Sequence, residues 1–186
     1  MAEQILEKYK SRRNSACLVR RGEERLVVKT FAEEVSFQKE LQIYRMLQNK
    51  YVPCAKVISA ENKTLVLSQL PGKTLLECLE QQEQTGRPDW QIWEKLVAWL
   101  TAFQCHTGLV MTDVNLRNFI YDEENQMLYG LDFEECSPGS PVIPAAGVAA
   151  FVRTYAPVNT LGISIFLIIK VLFLNCLQDM IQAADR

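Results

Sequence analysis

The sequence predicts an α+β fold in which a small, strand-rich first part is followed by a mainly helical second part. Two apolar runs, ACLV and RLVVKTF, flank the polar segment RGEE, which is typical of a β-hairpin. Apolar residues then recur at helical spacing in EVSFQKELQIYRML. Because Pro71 and Gly72 interrupt the pattern before longer helical segments begin, we expect one part over residues 1–70 and the other over 71–186.

The composition is that of a folded protein, since 48% of the 186 residues are hydrophobic and 23% are charged. A formal net charge of −2 gives no overall basic field, so we expect neither nucleic acid nor an acidic membrane surface as a partner. The cysteines are scattered without a C-x-x-C pair, and no signal peptide is recognisable, which favours a reduced, cytoplasmic protein. Cys105 and His106 lack a second pair at zinc-finger spacing, so we interpret both as core residues.

Two charged residues of the first seventy, Lys29 and Glu40, have positions that can be predicted from the pattern of strands and helix. Residues 2–10 predict a short helix, and pairing about RGEE brings Lys29 opposite approximately Ala16. In the helix that follows, Glu40 lies on the apolar stripe of the pattern. A carboxylate that faces a core needs a partner. Two further strands, AKVISA and TLVLSQL, are separated by the turn ENK.

The second part is predicted to begin with two helices and a hairpin. Thr74 and Glu77 form a capping-box pattern, and Pro88 with Asp89 starts a longer helix with a wide apolar face. A loop, the strand NFIY, the turn DEEN and the strand MLYGLDF follow.

The last fifty residues contain a predicted connector and an apolar segment. A connector rich in Pro, Gly and Ala over residues 136–158 leads to an apolar segment at 161–177. We favour a buried helix for this segment over a membrane anchor, because it is short for a span and carries Lys170 and Asn175.

Three oxygen-bearing side chains are predicted to converge at the open end of the second hairpin. Folding the chain about residues 123–125 brings Asn118 and Asp132 to the same end, and Asp113 lies in the loop immediately before the hairpin. Carboxylate and amide oxygens are ligands that Mg²⁺ prefers. The pattern therefore indicates a magnesium site made by Asn118 and Asp132.

These residues spell D-V-N-L-R-N followed by L-D-F-E, and in this order and spacing the chain resembles the protein-kinase-like superfamily. The motif style is similar to that of aminoglycoside and choline phosphotransferases and of small atypical serine/threonine kinases. Upstream, VVKTF resembles the strand lysine motif of the superfamily, and FQKELQIYRML resembles the helix whose glutamate pairs with that lysine. Lys29 and Glu40 occupy the matching positions.

The resemblance implies a two-lobed protein-kinase-like fold, with a small β-rich N-lobe that has one main helix and a shortened, mainly helical C-lobe. It also implies that Lys29, held by Glu40, binds ATP phosphates and that Asn118 and Asp132 bind Mg²⁺ or Mn²⁺. Asp113 would then orient the acceptor hydroxyl. The implied activity is ATP-dependent transfer of the γ-phosphate to a hydroxyl of a small molecule or of a protein serine or threonine.

Three departures from the family pattern support an alternative, a catalytically weak or inactive pseudokinase-like binding or scaffold module. The segment SRRNSACLV has no glycine where the family carries a glycine-rich phosphate loop. Arg13 and Ser15, with Arg12 and Asn14, either replace the glycines with side-chain contacts to phosphate or form a solvated basic turn. Met111 stands where the family commonly has histidine. The short second lobe also leaves room for a partner protein that completes it.

Overall fold

The computed structural model describes residues 3–9, 11, 13–48, 50–87 and 89–154 of the chain. Within these residues the fold is α+β, with a β-rich N-terminal sheet followed by several helices and two smaller sheets. The class predicted from the sequence is therefore confirmed at this level.

The N-terminal sheet has five antiparallel strands in the spatial order β1-β2-β3-β5-β4. Their bounds are β1 Glu3–Tyr9, β2 Ser15–Arg21, β3 Glu24–Thr30, β4 Val57–Glu61 and β5 Thr64–Ser68, and helix α1, Glu34–Leu47, lies between β3 and β4. Asn62 and Lys63, between β4 and β5, both have positive φ (48° and 59°), as a two-residue type I′ hairpin turn requires. Both predicted hairpins of this region are confirmed.

The prediction of a helix over residues 2–10 is wrong, because β1 extends the sheet at this position. Almost every side chain of β1 is exposed, so little apolar surface is available to stabilise a short helix. Backbone hydrogen bonding to β2 gives the segment a partner that periodicity in the sequence does not reveal.

The second part begins at Gly72, whose φ of 107° lies in the left-handed half of conformational space. Two short strands and two long helices come first: β6 Lys73–Thr74, α2 Leu75–Thr85, α3 Trp90–Thr107 and β7 Val110–Met111. The chain continues with a 3-10 turn at Leu116–Asn118, β8 Phe119–Asp122, β9 Met127–Gly130, β10 Cys136–Ser137 and α4 Val142–Thr154. Strand β8 pairs with β6 and β9, and β10 pairs with β7.

The two predicted helix starts are confirmed by their caps. The Thr74 hydroxyl accepts from the Glu77 amide at 3.2 Å, and a Glu77 carboxylate oxygen accepts from the Thr74 amide at 2.7 Å. Asp89 caps α3 by accepting from the Gln91 amide at 3.0 Å. Each cap satisfies amides that have no partner inside the helix.

Two further expectations need correction. The segment 136–158 was expected to be a connector without regular structure, but it contains β10 and α4. Helix α4 forms because alanines favour a helix and Pro144 stands in the first turn, where proline is tolerated. Cys105 and His106 are exposed rather than buried. They lie in the last turn of α3, away from the apolar face that the earlier residues of the helix direct into the core.

The main core joins the N-terminal sheet, α1, α3 and the β8–β9 hairpin. Phe133 is fully buried at its centre and lies near-parallel to the rings of Trp99 (6.2 Å) and Phe103 (5.7 Å), with Tyr44 edge-on at 5.0 Å. A Cβ on Gly130 would lie 2.2 Å from the Trp99 ring, so only glycine lets the end of β9 approach α3 this closely. Gly130 and Phe133, on either side of Asp132, therefore anchor this segment against the core.

No helix of the described residues is long and apolar enough to cross a membrane. The apolar segment 161–177, predicted to be a buried helix, lies outside the described residues.

Candidate functional site

Lys29 reaches the interior of the protein from strand β3. It pairs with Ala16 on β2, as the sequence predicts, and with Leu65 on β5, so strands flank it on both sides. Its side chain is only 12% exposed, and the ammonium lies 4.7 Å from the centre of the Phe31 ring. An ammonium held in such a place needs anionic partners.

One partner of Lys29 is Glu40 on helix α1. The two side chains meet at 2.7 Å between Nζ and Oε2, and the Glu40 side chain is 1% exposed. Glu40 lies on the buried face of α1 because the helical repeat places it in the same stripe as Phe37, Leu41 and Tyr44. Its second oxygen, Oε1, is buried and has no hydrogen-bond partner among the described residues.

The other partner of Lys29 is Asp132, which follows β9. The Lys29 Nζ and Asp132 Oδ1 atoms are 2.5 Å apart, and Asp132 is 43% exposed on its side chain. Asp132 has a φ of 61°, which is a left-handed conformation that costs free energy for any residue other than glycine. Lys29, Glu40 and Asp132 therefore come together from three separate elements.

Charge and burial oppose each other in this cluster. Burial lowers the pKa of Lys29, but the carboxylates of Glu40 and Asp132 together raise it by more, so the pKa ends above its ordinary value. For Glu40 burial dominates and raises the pKa to about 7, although Lys29 acts in the opposite direction. Lys29 stays charged at neutral pH, whereas Glu40 is close to its protonation midpoint.

Asn118 lies across the hairpin from Leu131, the residue before Asp132. The Leu131 amide donates to the Asn118 carbonyl at 2.9 Å, and Phe119 pairs with Gly130 next to it. This register confirms that residues 118 and 132 occupy the same end of the hairpin, as the sequence predicts.

Asp113 is connected to this group through the loop that precedes β8. The side-chain Nδ2 of Asn118 donates to the Asp113 backbone carbonyl at 3.4 Å, so the asparagine ties the two ends of the loop together. The Asp113 side chain is exposed. No hydrogen bond of its carboxylate to a described residue is present, which leaves it able to contact a solute.

The segment before β2 lies against the acidic residues that follow Asp132. Asn14 donates to Glu134 at 2.8 Å and accepts from the Ala32 amide at 3.3 Å. Arg13 forms an ion pair with Glu135 at 2.9 Å, in which both side chains are exposed. The sequence prediction did not include Glu134 and Glu135 as partners of this loop, although their charge opposite the basic SRRN segment was the available signal.

Ser15 and Arg12 complete the set of predicted residues. Ser15 is exposed and opens β2, where it pairs with Thr30. Arg12 lies outside the described residues.

Three carboxylates of this region are close enough to share one cation. Single oxygens of Glu40, Asp132 and Glu134 all lie within 4.8 Å of one another. Such oxygen donors suit Mg²⁺ or Mn²⁺, and the unpartnered Oε1 of Glu40 adds an unused acceptor beside them. The Lys29 ammonium already neutralises part of this negative charge. A metal cation here would therefore compete with the ammonium for the carboxylates or displace it from them.

No protein-family model matches the chain, and no curated protein sequence matches it significantly.

Proposed function

We propose that the protein is an ATP-dependent phosphotransferase with a two-lobed, protein-kinase-like fold, made of an N-lobe over residues 1–70 and a C-lobe over 71–186. One observation carries the proposal: the Lys29 ammonium contacts both Glu40, at 2.7 Å, and Asp132, at 2.5 Å. The motifs that suggest this chemistry are 11 and 103 positions away from Lys29 in the sequence. In protein kinases a lysine–glutamate pair and a metal-binding aspartate serve the ATP phosphates together, and the meeting of Glu40 and Asp132 at Lys29 supports such a site here.

A purely structural ion pair explains this arrangement less well. Burying an ammonium and a carboxylate is costly, and the Coulomb attraction compensates only when the remaining polar atoms are paired. Here Glu40 Oε1 has no partner among the described residues, and a second carboxylate reaches the same ammonium from a strained backbone. Local departures of this kind are common where a site is organised for a ligand.

The roles of the residues follow from their positions. Lys29 would bind phosphate oxygens of ATP, while Glu40 keeps its ammonium in place. Asn118 and Asp132 would hold Mg²⁺ or Mn²⁺, which would supply the positive charge that neutralises the phosphates. Asp113, exposed in the loop, would accept the proton of the acceptor hydroxyl. At the same time the hydroxyl oxygen would bond to the γ-phosphorus of ATP, and ADP would leave. The acceptor is a small molecule or a protein serine or threonine.

A radiolabelled ATP assay with Mg²⁺ or Mn²⁺ tests the proposal directly. Wild type is expected to transfer phosphate to itself or to an added hydroxyl acceptor, and Asp113→Asn is expected to reduce the rate at least about 100-fold. Glu23→Gln, a charge change in the exposed turn between β2 and β3, serves as the matched control and should keep full activity. Equal phosphate transfer by wild type and Asp113→Asn would exclude catalysis by this loop.

A nucleotide-binding or scaffold module without turnover is the second candidate. The observation that favours it is that Arg13 and Asn14 contact Glu135 and Glu134, acidic side chains that a phosphate would have to displace. Thermal shift with ATP and Mg²⁺ separates the two candidates. A shift that Asp132→Asn abolishes, without phosphate transfer, would support the module, whereas a shift with Asp113-dependent transfer would support the enzyme.

A further inference from the structure

Three polar contacts join the N-terminal sheet and the loop before β2 to segment 132–135, three of whose four residues are acidic. From the interior to the surface they are Lys29–Asp132 at 2.5 Å, Asn14–Glu134 at 2.8 Å and Arg13–Glu135 at 2.9 Å. Lys29 is 12% exposed on its side chain, Asn14 is half-buried and Arg13 is 73% exposed. We call the outer two contacts the latch. The row therefore leads from the buried Lys29 ammonium to solvent, with the latch at its outer end.

Segment 132–135 is held in place without the latch. Phe133 is fully buried in the main core. The Thr112 amide and hydroxyl both donate to the Glu135 carbonyl, at 2.9 and 3.0 Å, and Cys136 pairs with Met111 in the small sheet. Opening of the latch would therefore leave the backbone of this segment where it is.

The loop before β2 has few contacts besides the latch. The Asn14 side-chain oxygen accepts from the Ala32 amide at 3.3 Å, and the Asn14 amide donates to the Ser11 hydroxyl at 3.2 Å. Among the described residues, only the latch joins residues 11, 13 and 14 by hydrogen bond or ion pair to the chain beyond Ala32. Exposed ion pairs contribute little to stability, and loops with few contacts open at low cost in free energy. The latch is therefore a contact that can open while the rest of the fold stays intact.

The donors in this row are of the kind that bind phosphate. Ammonium, guanidinium and amide N–H groups donate to phosphate oxygens as they do to carboxylate oxygens. Here the donors of Lys29, Asn14 and Arg13 all contact carboxylates of segment 132–135. A triphosphate that used these donors would have to displace the carboxylates, so the segment and the ligand compete for the same groups.

We propose that segment 132–135 restrains nucleotide binding from within the chain. Its carboxylates keep Arg13 and Asn14 in the latch, and the latch opens when a nucleoside triphosphate binds. This inference rests on the proposed function, because it takes the phosphates to bind at Lys29. When only a fraction of the protein is competent to bind, the apparent dissociation constant rises by the inverse of that fraction. Weakening the latch should therefore tighten nucleotide binding.

Calorimetric titration with the non-hydrolysable analogue adenosine 5′-(β,γ-imido)triphosphate and Mg²⁺ tests the proposal in a double-mutant cycle. Glu135→Gln keeps the shape of the side chain, releases Arg13 and should tighten binding about 2- to 5-fold, the range that an exposed ion pair supports. In the Arg13→Gln background the ion pair is already absent. Adding Glu135→Gln there should change the dissociation constant less than about 1.5-fold. Glu23→Gln makes the same charge change in the turn between β2 and β3 and should bind like wild type.

The results of the cycle separate this inference from the proposed function. Equal tightening by Glu135→Gln in both backgrounds would mean that loss of a negative charge, rather than opening of the latch, explains the effect, and the inference would be wrong. It would also be wrong if Glu135→Gln bound the analogue no more tightly than wild type. If none of the proteins binds the analogue up to about 5 mM, the nucleotide site is absent, and the proposed function fails together with the inference.

Discussion

Replacement of Lys29 by methionine should destabilise the protein in a way that depends on pH. Methionine keeps the apolar stem of the side chain but removes the ammonium that contacts Glu40 and Asp132. Glu40 is then left beside Asp132 and Glu134, and burial and both of these charges raise its pKa. Its pKa in the variant must therefore lie above the wild-type value of about 7.

The size of the effect follows from proton linkage. A carboxyl pKa raised above its ordinary 4.5 means that the folded state binds the proton more tightly than the unfolded state. The free energy of unfolding therefore falls as pH rises from about 4.5, and this fall ends near pH 7 in wild type but continues in Lys29→Met. Each further pH unit costs about 1.4 kcal/mol, so the variant should lose up to about 3 kcal/mol relative to wild type between pH 7 and roughly pH 9.

Urea unfolding at about pH 6 and pH 9, followed by circular dichroism without divalent metal, measures this difference. The free energy of unfolding of Lys29→Met should fall below that of wild type much more at pH 9 than at pH 6. The double variant Lys29→Met, Glu40→Gln should show no such extra loss at the higher pH. Lys56→Met makes the same charge change at an exposed position and should show neither effect. A Lys29→Met difference that is equal at both pH values would refute the argument.

Two glycines and one helix cap give further predictions, which urea unfolding tests. Gly72→Ala should lower the free energy of unfolding by more than about 3 kcal/mol, because φ is 107° and the new Cβ would lie 2.1 Å from the Tyr121 carbonyl oxygen. Gly86→Ala, with φ of 63° and no atom within 4 Å, should cost only about 1–2 kcal/mol, and an equal loss at both glycines would exclude the steric reason. Thr74→Ala should cost about 1 kcal/mol through loss of the cap on α2, whereas Thr74→Ser should retain most of the stability.

Local patterns were sufficient to predict the parts of the candidate site that depend on periodicity. The hairpin register brought Lys29 opposite Ala16, and helical spacing put Glu40 on the buried face of α1. The second hairpin likewise brought Asn118 and Asp132 to one end. In each case a repeat of two or about 3.6 residues determines which side chains share a face.

Contacts between segments far apart in the chain were not predictable in the same way. Strand β1 forms because an edge of the sheet is available to it, which is a property of β2 rather than of its own sequence. The contacts of Arg13 and Asn14 with residues more than a hundred positions away depend on how the sheet and the second hairpin meet.

The left-handed backbone of Asp132 has a consequence for how mutations at this position should behave. Because glycine adopts a φ of 61° without steric cost, Asp132→Gly should relieve strain of about 1 kcal/mol. The same change removes the carboxylate that pairs with Lys29 and adds the conformational entropy that glycine loses on folding. The strained backbone and the ion pair with Lys29 therefore act in opposite directions on the free energy of folding at a single position.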